Sequence, residues 1–89
     1  MISVTMVAAN TYEVVVEAET ETTHRVHMSQ DYYRALCGAT CTHEYVLMQS
    51  FRFLLEREPN TAILAEFDLT DINRYFPEFE AVIKDRLDR

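Results

Sequence analysis

The chain opens with a period of two. Ile2, Val4, Met6 and Ala8 share one face, with Ser3 and Thr5 opposite. After a turn at Ala9-Asn10, Tyr12, Val14, Val16 and Ala18 alternate with Glu13, Val15, Glu17 and Glu19. The polar run Glu19-Thr20-Glu21-Thr22 makes a second turn, and His24, Val26 and Met28 then alternate with Thr23, Arg25 and His27. Such alternation is what a strand with one buried face requires, because successive side chains point to opposite sides of a sheet. Connections this short join antiparallel neighbours, so the first 28 residues are expected to form a three-stranded antiparallel meander. The acids on its outer side are expected to discourage edge-to-edge pairing.

At Ser29 the period becomes helical. Serine is a good N-cap, Asp31 suits the positive end of a helix dipole, and Gly38 is a C-terminal stop. A short helix with Tyr33, Leu36 and Cys37 facing inward follows. Thr40 or Thr42 opens the longest helix, which runs to about Arg57. Leu47, Phe51, Leu54 and Leu55 form its core stripe at i, i+4, i+7 and i+8. Val46 and Phe53 widen that stripe, so this helix is expected to be covered on more than one side. Pro59 breaks it. Ala62-Ile63-Leu64 are read as a short helical piece, Asp68 or Thr70 as the cap of another holding Ile72, Tyr75 and Phe76, and Pro77 as the start of a last helix with Phe79, Val82, Ile83 and Leu87 along one side. The fold class is therefore α+β: the meander followed by four to five helices packed on one face of the sheet. With 89 residues, one glycine and two prolines, residues 1–89 form a single domain without linkers or repeats.

The block Ser50-Phe51-Arg52-Phe53-Leu54-Leu55-Glu56-Arg57-Glu58-Pro59, then Ile63-Leu64, Phe67-Asp68-Leu69, Ile72 and Tyr75-Phe76-Pro77-Glu78, resembles a family of small uncharacterised bacterial proteins. The resemblance covers roughly the C-terminal half. It implies a short bacterial protein with this strand-then-helix plan, and it carries over no activity.

Charge narrows the partners. The net charge is −7, and the six acids from Glu58 to Glu80 face the single base Arg74. Phosphate backbones repel such a surface, and nucleic-acid binders show a basic patch; no nucleic-acid partner is expected. No stretch approaches the ~18 apolar residues of a membrane span, and the first residues lack the basic opening and apolar run of a secretory leader. The expected location is cytoplasmic, with Cys37 and Cys41 as free thiols.

Candidate chemistry is sparse. His24 and His27, three apart on a strand, face opposite ways and are expected one near the core and one in solvent. Cys37, Cys41 and His43 lie close around an interhelical turn, but zinc sites usually need four ligands. A thiol or metal site there is the weaker alternative, with Cys41 the better thiolate because it precedes a helix N-terminus. Glu13 and Glu17 read as a solvated sheet face, and Glu56 and Glu58 as local partners of Arg57. One glycine gives no phosphate-cradling loop, and no serine elbow occurs. Neither an enzyme nor a cofactor or metal is expected.

Two binding readings remain. Residues 62–76 have the outline of a helix-turn-helix, with Asn73 and Arg74 placed to reach base edges, yet Pro77 truncates the second helix and the flanks are acidic. That is the alternative. The leading expectation is a protein–protein interaction or regulatory module, binding a protein partner or itself as a homodimer. It comes from a surplus of aromatics in the helical half. The interaction candidates are Tyr32, Tyr45, Phe53, Tyr75 and Phe79, with Tyr32 and Phe53 expected at the surface because each lies off its helix's main stripe.

Overall fold

Asn10 takes a left-handed backbone conformation (φ 55°), which asparagine tolerates better than most residues, at the tight turn Ala9-Asn10. It joins β1 (Ile2–Ala8) to β2 (Thr11–Val16), and bends after Val16 lead into β3 (Thr22–His27). In this computed structural model, which describes residues 1–38 and 40–88, the three strands pair antiparallel as expected. Ile2 lies opposite Val16, Val4 opposite Val14, and Met6 opposite Tyr12, so one face carries the apolar set throughout.

The sheet has a fourth strand. β4 (Glu66–Asp68) lies parallel to β3, with Phe67 beside Val26, giving the mixed order β1-β2-β3-β4. Three residues are too few to show a period of two, and a parallel neighbour must arrive by a long crossover rather than a hairpin. The crossover here contains α1 (Gln30–Cys37) and α2 (His43–Leu55).

Local chemistry sets the helix ends. Tyr32 N donates to Ser29 Oγ at 3.1 Å, and Gly38 ends α1 at φ 60° with its N–H donating to Arg34 O. Tyr45 N donates to Thr42 Oγ1 at 3.0 Å, which makes Thr42 the N-cap of α2. Asp68 caps a 3-10 turn at Leu69–Asp71 by accepting from Thr70 N, while Asp71 reaches back to accept from Asp68 N. That turn leads into the single-turn α3 (Ile72–Tyr75). Phe76 leaves helical geometry ahead of Pro77, as residues preceding proline tend to do. The last helix, α4, spans Phe79–Leu87.

The core is built around α2, and its wide apolar surface is covered twice. On one side Phe51 packs against His24 and Phe67 of the sheet, with ring centroids 5.4 and 6.1 Å apart. On another Phe53 meets Phe79 of α4 edge-on at 5.2 Å. Arg57 closes this end, its guanidinium 3.6 Å from the Phe53 ring centroid and its Nε 3.5 Å from Glu78.

The helix-turn-helix outline is not formed. Residues 62–76 contain the end of a 3-10 turn (Asn60–Ala62), strand β4, a second 3-10 turn and one turn of helix, so the first helix of such a motif is missing. The charged flanks of Phe67 made a sheet residue look like a helical corner. No helix among the described residues is long and apolar enough to cross a membrane.

Candidate functional site

Ile63, with extended backbone, and Leu64 lie between the Asn60–Ala62 turn and β4. Ile63 is buried, while Leu64 remains 51% exposed. Beside Leu64 stands Tyr75 of α3, 65% exposed because the Pro77 break leaves no further helical turn to cover it. Between them is a groove of about 210 Å³. Leu54 of α2, Ile63, Phe67 of β4, Ile72 and Phe76 form its apolar lining, and Glu58 and Asp71 supply carboxylates.

The two carboxylates differ. Asp71 is engaged in the reciprocal cap with Asp68 and lies 4.0 Å from Arg74. Glu58 makes no side-chain hydrogen bond or ion pair among the described residues. The groove thus combines apolar walls with one uncompensated negative charge, on a chain whose net charge is −7. Drug-sized ligands and cofactors are usually held in pockets of roughly 300–1,000 Å³. A space of about 210 Å³ suits one or two side chains of a peptide.

The polar clusters elsewhere hold elements together. His24 is buried, with Nδ1 2.7 Å from Leu64 O and Nε2 2.8 Å from Thr22 Oγ1. Because a carbonyl only accepts, this network assigns the proton to Nδ1 and leaves Nε2 to accept from the threonine hydroxyl. Asn60 Nδ2 then donates to Thr22 Oγ1 and to Thr20 O, so the set ties β3 to Asn60 and to the backbone carbonyl of Leu64. His27 lies on the opposite face, partly exposed, 2.8 Å from Glu66. A second cluster joins three helical elements: Tyr32 Oη donates to Glu80 at 2.9 Å, and Asn73 Nδ2 donates to both. Burial, reinforced by the Glu80 carboxylate, pushes the Tyr32 phenol well above its ordinary value. Asn73 is therefore held inward, away from the solvent where a base edge would be met.

The interaction candidates fall in different places. Tyr75 lies on the groove. Tyr45 is 38% exposed on the first turn of α2, and Tyr32 is half-buried in the cluster just described. Phe53 and Phe79 are fully buried against each other, which corrects the expectation that Phe53 reaches the surface: α4 covers the part of α2 that the sheet leaves open. The sequence pattern did not single out Leu64, and it assigned Glu58 to Arg57; Arg57 pairs with Glu56 and Glu78 instead, which leaves the Glu58 carboxylate in the groove lining. The available signal for Leu64 was its place beside Ile63 in a non-periodic stretch.

Cys37 and Cys41 are joined in a disulfide, not held as the free thiols expected. The turn between α1 and α2 brings their Cα atoms to 6.3 Å, within the range a disulfide spans. His43 stacks on Tyr33 with centroids 3.8 Å apart and places Nε2 3.2 Å from Gln30 Oε1. The sulfurs and this imidazole therefore do not converge, and no group of His, Cys, Asp and Glu among the described residues is arranged to hold a metal ion.

Comparison with protein-family models, with curated proteins and with solved structures found no match to this chain.

Proposed function

We propose that this chain is a non-enzymatic protein-interaction module. Its groove receives a short segment of another protein that carries one large apolar side chain next to a lysine or arginine. The observation that carries the reading is the combination of Leu64 and Tyr75, both exposed over an apolar groove, with Glu58 unpaired in its lining. Burying an apolar anchor there supplies affinity, since a fully buried Leu or Phe side chain contributes about 1.5–3 kcal/mol. The carboxylate selects the cationic neighbour and repels acidic segments. A bacterial origin and a cytoplasmic setting belong to the same proposal; the first rests on the resemblance of the C-terminal block.

Fluorescence anisotropy with a panel of labelled short peptides tests it. A peptide with a single Leu or Phe flanked by Arg is expected to bind, and its Asp-flanked counterpart is not. Glu58→Gln is expected to weaken binding by about two- to fivefold, the effect of losing an exposed ion pair of roughly 0.5–1 kcal/mol. Leu64→Glu is expected to weaken it by at least about tenfold. Equal binding of cationic and acidic peptides, or no effect of Leu64→Glu, rules the groove out.

A further inference from the structure

The two edges of the sheet are protected very differently. β4 offers three residues, two of them acidic. Short, charged edges resist pairing with foreign strands. β1 offers seven residues, Ile2-Ser3-Val4-Thr5-Met6-Val7-Ala8, with no charge and no proline, and it lies at the opposite edge of the sheet. The acids expected to discourage edge pairing lie on or beside β2; none falls on β1.

Its hydrogen-bonding direction follows from its pairing. Met1 and Glu17 exchange both backbone bonds, Glu17 N to Met1 O at 2.8 Å and Met1 N to Glu17 O at 3.0 Å. In an antiparallel ladder such pairs alternate with non-bonded ones. Ser3 and Thr5 therefore also turn their backbone groups toward β2, and Ile2, Val4 and Met6 turn theirs outward along the open edge. The side chains of those three residues lie on the apolar face, level with Val16, Val14 and Tyr12.

We infer that β1 pairs antiparallel with β1 of a second copy of this chain, with Val4 opposite Val4, to make one continuous sheet across a twofold axis. This register is self-complementary. It sets Ile2 opposite Met6 on both sides of the axis and pairs the outward-turned N–H and C=O groups of Ile2, Val4 and Met6, ending before the irregularity in the ladder between Met6 and Ala8. Ser3 then faces Thr5 across the seam on the outer side, hydroxyl to hydroxyl, a pairing strands favour.

The register also gives Met6 a place. In its own subunit this side chain is 56% exposed. Opposite Ile2 of the second copy, it comes to the hollow of about 350 Å³ lined by Met1, Ile2, Met48, Arg52 and Leu55, between the start of β1 and α2. Charge favours this edge too: two chains of net charge −7 repel least where neither presents an acid. A seam of one strand pair is small, so the association is weak and reversible. It uses a surface separate from the groove and does not depend on the peptide-binding reading.

Sedimentation velocity over a concentration series tests this, with amide hydrogen exchange as a second readout. The native chain is expected to shift reversibly toward dimer, while exchange slows with concentration at Val4 and Met6 but not at Thr5. Met6→Lys is expected to raise the dimer dissociation constant at least about tenfold. A chain carrying Ser3→Lys with Thr5→Lys, and another carrying Ser3→Glu with Thr5→Glu, are each expected to be monomeric alone and to form a mixed dimer together. Ser3, Thr5 and Met6 are exposed, so circular dichroism is expected to show native structure in all of these variants. A native chain that stays monomeric to its solubility limit, or a dimer indifferent to these substitutions, overturns the inference.

Discussion

Tyr32 shows how one polar side chain fixes the geometry of three helical elements. From α1 it donates to Glu80 of α4, and Asn73 of α3 bonds to both. Its place off the helix's main stripe predicts a surface position for Tyr32, but the side chain is half-buried against the core with its hydroxyl enclosed by Glu80 and Asn73. Its hydrogen-bond partners lie more than forty positions away, which no local pattern encodes. Loss of its hydroxyl in Tyr32→Phe is expected to lower stability by about 1 kcal/mol, since Asn73 and Glu80 remain bonded to each other. The pH dependence is more specific. The unfolded chain releases the phenol proton near 10.0, whereas burial holds it in the folded chain at higher pH. The stability tied to this group is therefore intact below about pH 10 and falls as pH rises beyond it, by up to ~1.4 kcal/mol per pH unit for each proton retained. Burial, with Glu44 nearby, raises Tyr12 as well, so the native chain is expected to lose stability steeply in alkali. Urea denaturation at a series of alkaline pH values is expected to show a shallower loss in Tyr32→Phe; identical slopes would remove this account of the cluster.

Individual elements were legible wherever a cap or a period marked them. Ser29, Gly38 and Thr42 bound their helices, and the three alternating segments are the strands. β4 was not legible, because Phe67 between Glu66 and Asp68 is equally compatible with an amphipathic helical turn. Its strand identity comes from the open edge of β3, which needed partners for its backbone groups: Arg25 N donates to Ala65 O at 2.7 Å. The corner between α1 and α2 is the turn its sequence predicts, but its two cysteines are not the free thiols expected. Sequence spacing alone does not fix whether two sulfurs point toward each other. Closing so short a loop constrains the unfolded chain only modestly, by about 2 kcal/mol in the chain-entropy model. Cys37→Ser combined with Cys41→Ser is therefore expected to lower stability by up to about 2 kcal/mol in the absence of reductant, and by much less when both proteins are measured in excess dithiothreitol. A loss unchanged by reductant would assign the effect to packing of the sulfurs instead.

At the scale of the molecule, the surface divides into three regions: an acidic, solvated exterior, an uncharged edge at β1, and a groove where Leu64 and Tyr75 stay exposed over apolar walls. The sequence predicted an excess of apolar material in the helical half. The structure places most of it inside, because α2 is covered by the sheet and by α4 at once. What remains outside is small and localised, and its position depended on β4 and on the Pro77 break, neither of which a periodicity argument could locate. The charge pattern was legible throughout, and it is what makes a cationic segment the complementary occupant. The most direct test is an amide correlation spectrum of the isotope-labelled chain, titrated with a short peptide carrying one leucine flanked by arginines. The account predicts progressive shifts confined to Glu58, Ile63, Leu64 and residues 71–76, weaker in high salt and absent with the aspartate-flanked peptide. Shifts centred on the outer face of β2 and β3, or no shifts at any peptide concentration, would contradict it.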